Sequence, residues 1–248
     1  MKEAFIYMFK DNCFWKKAIT YFFVSFIACL FISYSQINTC SGMCPVASKP
    51  TVISVNSISP IIYQLIGIFI NMIVAGYFLS SIKAITSQTS NIVLPFFSFR
   101  NNFVKGFKFN LSVFTTIILY SFTFGLLYSF YSTATFAKIG FIILLIFYIF
   151  TGVAFVWLFA QEEKFITFFN FKKVIIKIKE DIKNYIKYVL IIAGILLISI
   201  AVTFVIELLI SNFVKDIIIA MVITTLITTV FATYINFVNM HLIAKSIK

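Results

Sequence analysis

The one acid placed to do chemistry inside an apolar stretch is Glu207, which follows Ser199 and Thr203 at steps of four. On an α-helix those steps stack three polar side chains along one face, and a carboxylate at membrane depth is the group with which carriers hold a proton or cation. Gln64 and Asn71 make a similar amide pair on an earlier apolar stretch, on the face that also carries Gly67 and Ala75. Thr225, Thr229, Thr233 and Asn236 form a third stripe nearer the C-terminus. All three stripes have a simpler use, because hydroxyl and amide groups join helices in lipid through modest hydrogen bonds. Glu207 also lies within a turn of the end of its stretch, where it can reach the interface.

Four cysteines are present, and Cys40 and Cys44 flank Ser41-Gly42-Met43. In an oxidising compartment they are a candidate disulfide closing a small ring around a glycine, and otherwise two free thiols. A zinc site wants about four ligands, and the chain has one histidine, His241. There is no His-Glu-x-x-His, no Gly-x-Ser-x-Gly and no phosphate-binding glycine loop. The expectation is a protein that is not an enzyme and needs neither metal nor cofactor.

What must position these residues is set by composition. The 248 residues are 61% hydrophobic and 11% charged, with mean hydropathy +1.04. Such a chain has too few ionisable side chains to solvate a globule of this length. A helix crossing a bilayer core of about 30 Å needs roughly 20 apolar residues and closes all its backbone hydrogen bonds internally. Six stretches qualify: 18–35, 61–82, 109–131, 139–160, 188–210 and 217–240. They are far longer than the roughly 9 to 11 residues of a barrel strand, and Pro45, Pro50, Pro60 and Pro95 all fall between them. The fold class expected is all-α, a six-span polytopic helical bundle forming one integral membrane domain over 1–248, with an outer loop at 37–60.

Basic residues orient the bundle. Of 20 Lys and Arg, all but Lys49, Lys138 and Lys215 fall before the first span, between the second and third, between the fourth and fifth, or after the sixth. By the positive-inside rule both termini are cytoplasmic, in a bacterial inner membrane. The formal charge of +12 is therefore a topology signal; nucleic acid is not an expected partner, since Arg100 is the only arginine and most aromatics sit in the spans.

Three cytoplasmic leads share a basic, aromatic character: Phe14-Trp15-Lys16-Lys17, Phe103-Val104-Lys105-Gly106 and Phe171-Lys172-Lys173. Trp15, Lys16 and Lys17 suit an interfacial anchor, indole at headgroup level and ammonium groups near lipid phosphate. The longest lead, 161–187, is amphipathic: Phe168, Phe171, Ile175, Ile178, Ile182, Tyr185 and Val189 recur at helical spacing, with Lys172, Lys173 and Lys177 largely elsewhere. Over 165–187 a helix lying on anionic headgroups is expected; a solvated extension of the fifth span is the alternative.

Phe5-Ile6-Tyr7-Met8-Phe9-Lys10-Asp11, Trp15-Lys16-Lys17, Gly76-Tyr77, Leu94-Pro95, and Phe103 with Gly106 together give the chain a recognisable signature. It resembles the uncharacterised bacterial and archaeal membrane-protein family called domain of unknown function 4013, over roughly residues 5 to 120. After Leu-Pro, where that family typically has acidic and Trp residues, this chain has Phe96, Phe97 and Ser98, and 37–60 looks like an expansion. The resemblance implies a multi-span fold with a cytoplasmic motif and assigns no activity.

Two functions fit the sequence. One is a non-catalytic membrane component whose basic face engages a protein partner or anionic lipid; the other is a small transporter with a pathway lined by the stripes of spans 2, 5 and 6. The uninterrupted spans and the lone acid favour the first, because transporters typically break helices at mid-membrane.

Overall fold

The computed structural model describes Phe9 and residues 11–40, 59–87, 94–130 and 134–247. Among these there are seven α-helices, one 3₁₀ turn and no strand. The helices are α1 (Phe14–Cys40), α2 (Ser59–Ser87), α3 (Phe99–Phe130), α4 (Ala134–Glu162), α5 (Phe171–Glu180), α6 (Ile182–Phe213) and α7 (Ile217–Ser246), with the 3₁₀ turn at Phe165–Phe169. Local chemistry sets several boundaries. Pro60 sits in the first turn of α2, where its missing N–H costs nothing. Asp216 caps α7 by accepting from the N–H groups of Ile218 and Ile219 at 2.9 and 3.0 Å.

Four helices are long and apolar enough to cross a membrane: Phe14–Gln36, Ser59–Ser87, Ile182–Phe213 and Ile217–Ser246. They contain four of the six expected spans. The other two, 109–131 and 139–160, fall in α3 and α4, where part of the chain lies outside the described residues. So does most of the loop 37–60, and with it the pairing of Cys40 and Cys44.

α2 is the hub, touching α1, α3, α4 and α7. Glycine sets how close its neighbours come. A Cβ on Gly76 would overlap the carbonyl oxygen of Asn102, and one on Gly106 would overlap that of Met72 and lie 3.0 Å from the Gly76 nitrogen. α2 and α3 therefore cross backbone on backbone, a contact open only to residues without a side chain. Gly67 does the same toward α1, where a Cβ would stand 2.6 Å from Ile32 Cγ1 and 3.0 Å from the Ala28 carbonyl.

The packed core gathers at the lysine-rich end of the bundle. Tyr21, Tyr77, Phe159, Tyr185, Phe237 and Met240 are fully buried there. Tyr21 packs on Tyr77 and Phe237 at 5.5 and 5.4 Å, and Phe97 stacks on Tyr77 at 5.0 Å. Phe168 of the 3₁₀ turn inserts between Phe109, Phe155 and Phe159, at 5.6, 5.5 and 5.5 Å. The Tyr185 hydroxyl enters the α4 hydrogen-bond ladder, donating to the Phe150 carbonyl and accepting from the Ala154 N–H. Toward the other end the helices expose Leu197, Ile198, Ile200, Phe204, Val205, Leu208 and Leu209 of α6. A band of this length and apolarity suits a lipid-facing surface, since water would penalise it heavily.

Gly76→Ala and Gly106→Ala should each force α2 and α3 apart, at a cost of about 1–3 kcal/mol or more. Gly194 is the control, because a Cβ there meets nothing within 4 Å. Thermal unfolding of purified protein should place both crossing variants well below wild type and Gly194→Ala level with it; a Gly76→Ala protein that melts with wild type would mean a looser crossing.

Candidate functional site

Two ionic clusters and one cavity bring most of the polar chemistry together. In the first cluster Lys17 Nζ bonds Asp11 Oδ2 at 2.8 Å, with side chains only 2% and 4% exposed. Asp11 also accepts from the backbone N–H groups of Leu94 (2.8 Å) and Cys13 (2.9 Å). Lys17 donates in addition to the Leu94 carbonyl and lies 4.6 Å from the centre of the Phe96 ring. The segment 94–98 before α3 has no regular structure, as Pro95 requires of the residue before it. Asp11 and Lys17 meet both backbone polar groups of Leu94 that a helix would otherwise have satisfied. Burial by itself would raise the Asp11 pKa, but the hydrogen bonds from Lys17, Cys13 and Leu94 and the lysine charge outweigh it and hold the carboxyl below its ordinary value.

The second cluster closes the C-terminal end of α4. Glu163 takes φ 55°, the left-handed conformation that ends helices, and its N–H bonds the Phe159 carbonyl at 2.8 Å. Its carboxylate reaches Lys83 of α2 at 2.8 Å and Lys105 of α3 at 3.0 Å, while Lys105 donates to Ser80 at 3.2 Å. Here too burial would raise the pKa, and the bonds and charges of the two lysines lower it overall. Next in sequence, Glu162 accepts from Thr167 at 2.9 Å and pairs with Lys173. One pair of adjacent acids thus ties α2, α3, the 3₁₀ turn and α5 together.

The amphipathic lead resolves into three pieces instead of one helix over 165–187. The 3₁₀ turn ends at Phe169, Asn170 caps α5 by accepting from the Lys173 N–H at 3.1 Å, and α5 stops before Asp181, after which α6 begins. Its expected apolar face also splits. Val174 and Ile178 are buried, whereas Ile175 and Ile176 are exposed between Lys172 and Lys179. These four recur at steps of 3 and 4 and form one outward face. A further flank holds Lys173 and Lys177, the latter paired with Glu180 at 2.6 Å. Trp15, Lys16 and Lys172 are exposed. Lys17, expected at the lipid interface, instead faces inward in its ion pair with Asp11, where one buried charge satisfies another.

The polar stripes meet in two separate places, the stripe of α7 reaching Glu207 through Thr225 and Asn71 through Asn236. Ser199 bonds its own helix through the Ile195 carbonyl at 2.7 Å, and Thr203 is half-buried. Glu207 is exposed and lines a recess of about 330 Å³ with Ser33, Gln36, Ser211, Thr224 and Thr225. Gln64 is exposed on α2. Asn71 instead borders a separate cavity of about 500 Å³ in the centre of the bundle. Its wall is apolar apart from Asn71, Tyr21, Thr116, Asn236 and Asn239, and Asn236 donates to the Tyr21 hydroxyl at 3.2 Å. Among the described residues no group of three His, Cys, Asp or Glu is placed to hold a metal ion.

The fold defines an all-α protein with helices suited to crossing a membrane. The chain belongs to the family described as "Protein of unknown function (DUF4013)", whose pattern matches residues 60–211. That window starts later and runs further than the resemblance over 5–120. It holds Gly76, Leu94-Pro95, Gly106 and both Glu162 and Glu163, while Asp11 and Lys17 precede it. No curated protein and no solved structure matches the chain.

Sequence reasoning missed Asp11, Glu162, Glu163 and Asn239 as organising residues. For the three acids the signal was the charge imbalance itself. With 8 acids against 20 bases, an acid beside the lysine-rich end has cations within reach, and Asp11 and Glu163 each found them.

Both carboxyls sit below their unfolded pKa values of about 4, so their stabilisation is full above pH 4 and drains away as pH falls through the lower folded values. Asp11→Asn leaves Lys17 buried without its counter-charge, which should cost about 3–5 kcal/mol at pH 7. In melting curves taken from pH 7 to pH 3, wild type should lose stability below about pH 4 and the variant should start low and fall less. Parallel curves for the two proteins would remove the pair from the acid response.

Proposed function

We propose that the chain is a non-catalytic, six-span component of a bacterial inner membrane, with both termini cytoplasmic and a lysine-rich face that binds anionic lipid. The observation that carries this reading is the outward face of α5, where Lys172, Ile175, Ile176 and Lys179 stand exposed together. Isoleucine beside lysine is the pattern of a helix at the acyl boundary, with apolar side chains inserted and ammonium groups extended to phosphate. α5 is already folded, with Val174 and Ile178 buried, and is in contact with α4, to which the Lys173–Glu162 pair ties it, so lipid meets a formed surface and little ordering cost opposes binding.

The basic face extends beyond α5. Trp15 and Lys16 are exposed at the start of α1, and Lys183 and Lys187 at the start of α6. Each ammonium near an anionic leaflet adds on the order of 1 kcal/mol. A carrier reading needs the stripes of spans 2, 5 and 6 to line one route. They line two separate spaces instead, Asn71 with Asn236 at the central cavity and Glu207 with Thr225 at the other recess, which supports the non-carrier reading.

Native mass spectrometry of protein extracted in mild detergent should find anionic phospholipid retained, and the double variant Lys172→Glu with Lys179→Glu should lose most of it. Equal retention by the two proteins overturns the lipid assignment. Orientation has its own test: with Cys13, Cys29, Cys40 and Cys44 replaced by serine, a single cysteine introduced by Lys177→Cys should resist an impermeant maleimide in intact cells, whereas one introduced by Lys138→Cys should react. Labelling of position 177 from outside would reverse the topology.

A further inference from the structure

At the end of α6 remote from Lys183 and Lys187, α1, α6 and α7 line the recess of about 330 Å³ that holds Glu207. Glu207 is the one charged side chain in its wall, and the other polar groups are Ser33 and Gln36 of α1, Ser211 of α6, and Thr224 and Thr225 of α7. Among the described residues no hydrogen bond or ion pair engages the Glu207 carboxylate, and every ion pair is made by Asp11, Glu162, Glu163 or Glu180. Its neighbours along the helix, Phe204, Val205, Leu208 and Leu209, are exposed apolar side chains. A carboxylate set among them without a counter-charge is costly, and the recess therefore favours a cation.

The rest of the wall selects which cation. Calcium takes six to eight oxygens, commonly from several carboxylates and carbonyls, whereas beyond Glu207 this wall supplies hydroxyls and one amide. A quaternary ammonium is held by aromatic faces, and no aromatic ring lines the recess. A primary ammonium carries three N–H donors, which suit one carboxylate and neutral acceptors around it. Ser211 already donates its own proton to the Leu208 carbonyl at 3.0 Å, so its hydroxyl oxygen is left to accept. Glu207 and Ser211 are exposed, and Ser33 and Thr224 are half-buried, so a ligand in the recess can reach all four.

We propose that this recess binds a primary ammonium group, paired with the Glu207 carboxylate and donating to the hydroxyl oxygens of Ser211 and Thr224. Two carriers share that chemistry, the headgroup of phosphatidylethanolamine and a free small amine. The surroundings point to the lipid. Phe213 and Ile217 stand exposed at the same end, where acyl chains would lie. Lys215, exposed between α6 and α7 and in no ion pair among the described residues, offers a cation to the phosphate of the same headgroup. The site lies at the opposite end of the bundle from the basic face of α5, and it requires only that α1, α6 and α7 cross a bilayer. It therefore stands whichever end is cytoplasmic and whether or not the basic face binds anionic lipid.

The test uses full-length protein in nanodiscs holding equal amounts of dioleoyl phosphatidylethanolamine, its N-methyl and N,N-dimethyl forms, and dioleoyl phosphatidylcholine, with the retained lipids counted by native mass spectrometry. Retention should fall with each N-methyl group, and phosphatidylethanolamine should be held about fivefold or more over phosphatidylcholine, since the loss of charge-assisted hydrogen bonds separates them. Their common phosphate cancels from that ratio, so lysines elsewhere do not produce it. Glu207→Gln keeps the shape and removes the charge. Because Glu207 is exposed and without a partner among the described residues, the variant should melt level with wild type while the ratio falls toward one. Thr224→Val, which removes one acceptor hydroxyl, should lower the ratio in part. A second arm separates the carriers: a free amine as ligand means that excess ethanolamine raises the melting temperature of wild type by mass action and not that of Glu207→Gln, whereas the lipid as ligand means that ethanolamine does nothing and Lys215→Gln weakens phosphatidylethanolamine retention. Wild-type protein with neither a phosphatidylethanolamine preference nor a response to ethanolamine overturns the proposal, as does either effect persisting undiminished in Glu207→Gln.

Discussion

Everything at the lysine-rich end depends on the contact between the backbones of α2 and α3 at Gly76 and Gly106. Lipid supplies no hydrophobic drive for one apolar helix to join another, so association rests on close packing and polar contacts. Two glycines facing across a crossing give the closest approach that helices can make, and the register of the crossing is then carried outward. Lys105 precedes Gly106, and Ser80 lies one turn beyond Gly76. The bond between them, and the reach of Lys105 to Glu163, need α3 to stand where the glycines put it. A shift of α3 by the width of one methyl group would misplace both.

On that crossing the two ionic clusters act as fasteners between elements distant in sequence. Asp11 and Lys17 bring the start of α1 to Leu94, and Glu163 brings the end of α4 to α2 and α3. Their environments differ in a way that matters for energetics. The Asp11 pair is almost wholly buried and also satisfies backbone groups of an irregular segment, so its loss exposes several unmet partners at once. The Glu163 bridges are partly solvated and individually weak, yet they hold a glutamate in a left-handed conformation that costs roughly 1–2 kcal/mol. A glycine there would relax the backbone and lose the lysines.

The helical class and the apolar segments were legible because lipid imposes length and hydropathy so strictly: Ala18–Ser35 falls within α1 and Ile217–Met240 within α7. Gly76 and Gly106 were also visible as motif residues, although a crossing partner cannot be assigned from spacing along one helix. The break of the amphipathic lead at Asn170 and Asp181 was hidden, because the helical period continues through both residues while the chain does not. Lys17 misled for a related reason. A lysine beside Trp15 and Lys16 has the sequence appearance of an interfacial anchor, and only the approach of Leu94 and Asp11 turns it inward. Asn239 gave no signal at all, since one amide in an apolar helix looks the same whether it is paired or orphaned.

Glycine shows how the two sides of the bundle differ. At Gly67, Gly76 and Gly106 the space a side chain would need is filled by a neighbouring helix, while at Gly152 and Gly194 it is empty. The first group lies where α1, α2 and α3 close on one another, and the second on α4 and α6, which touch each other lightly. Tyr185 holds those two helices at a single level by entering the α4 ladder between Phe150 and Ala154. Among the described residues no other hydrogen bond or ion pair joins α4 to α6. A bundle pinned tightly on one side and at one point on the other must leave a gap between its halves, and Gly152, Val153 and Val156 of α4 face Val189, Ile192 and Ala193 of α6 across the cavity that results. The cavity is thus a consequence of where the close contacts are.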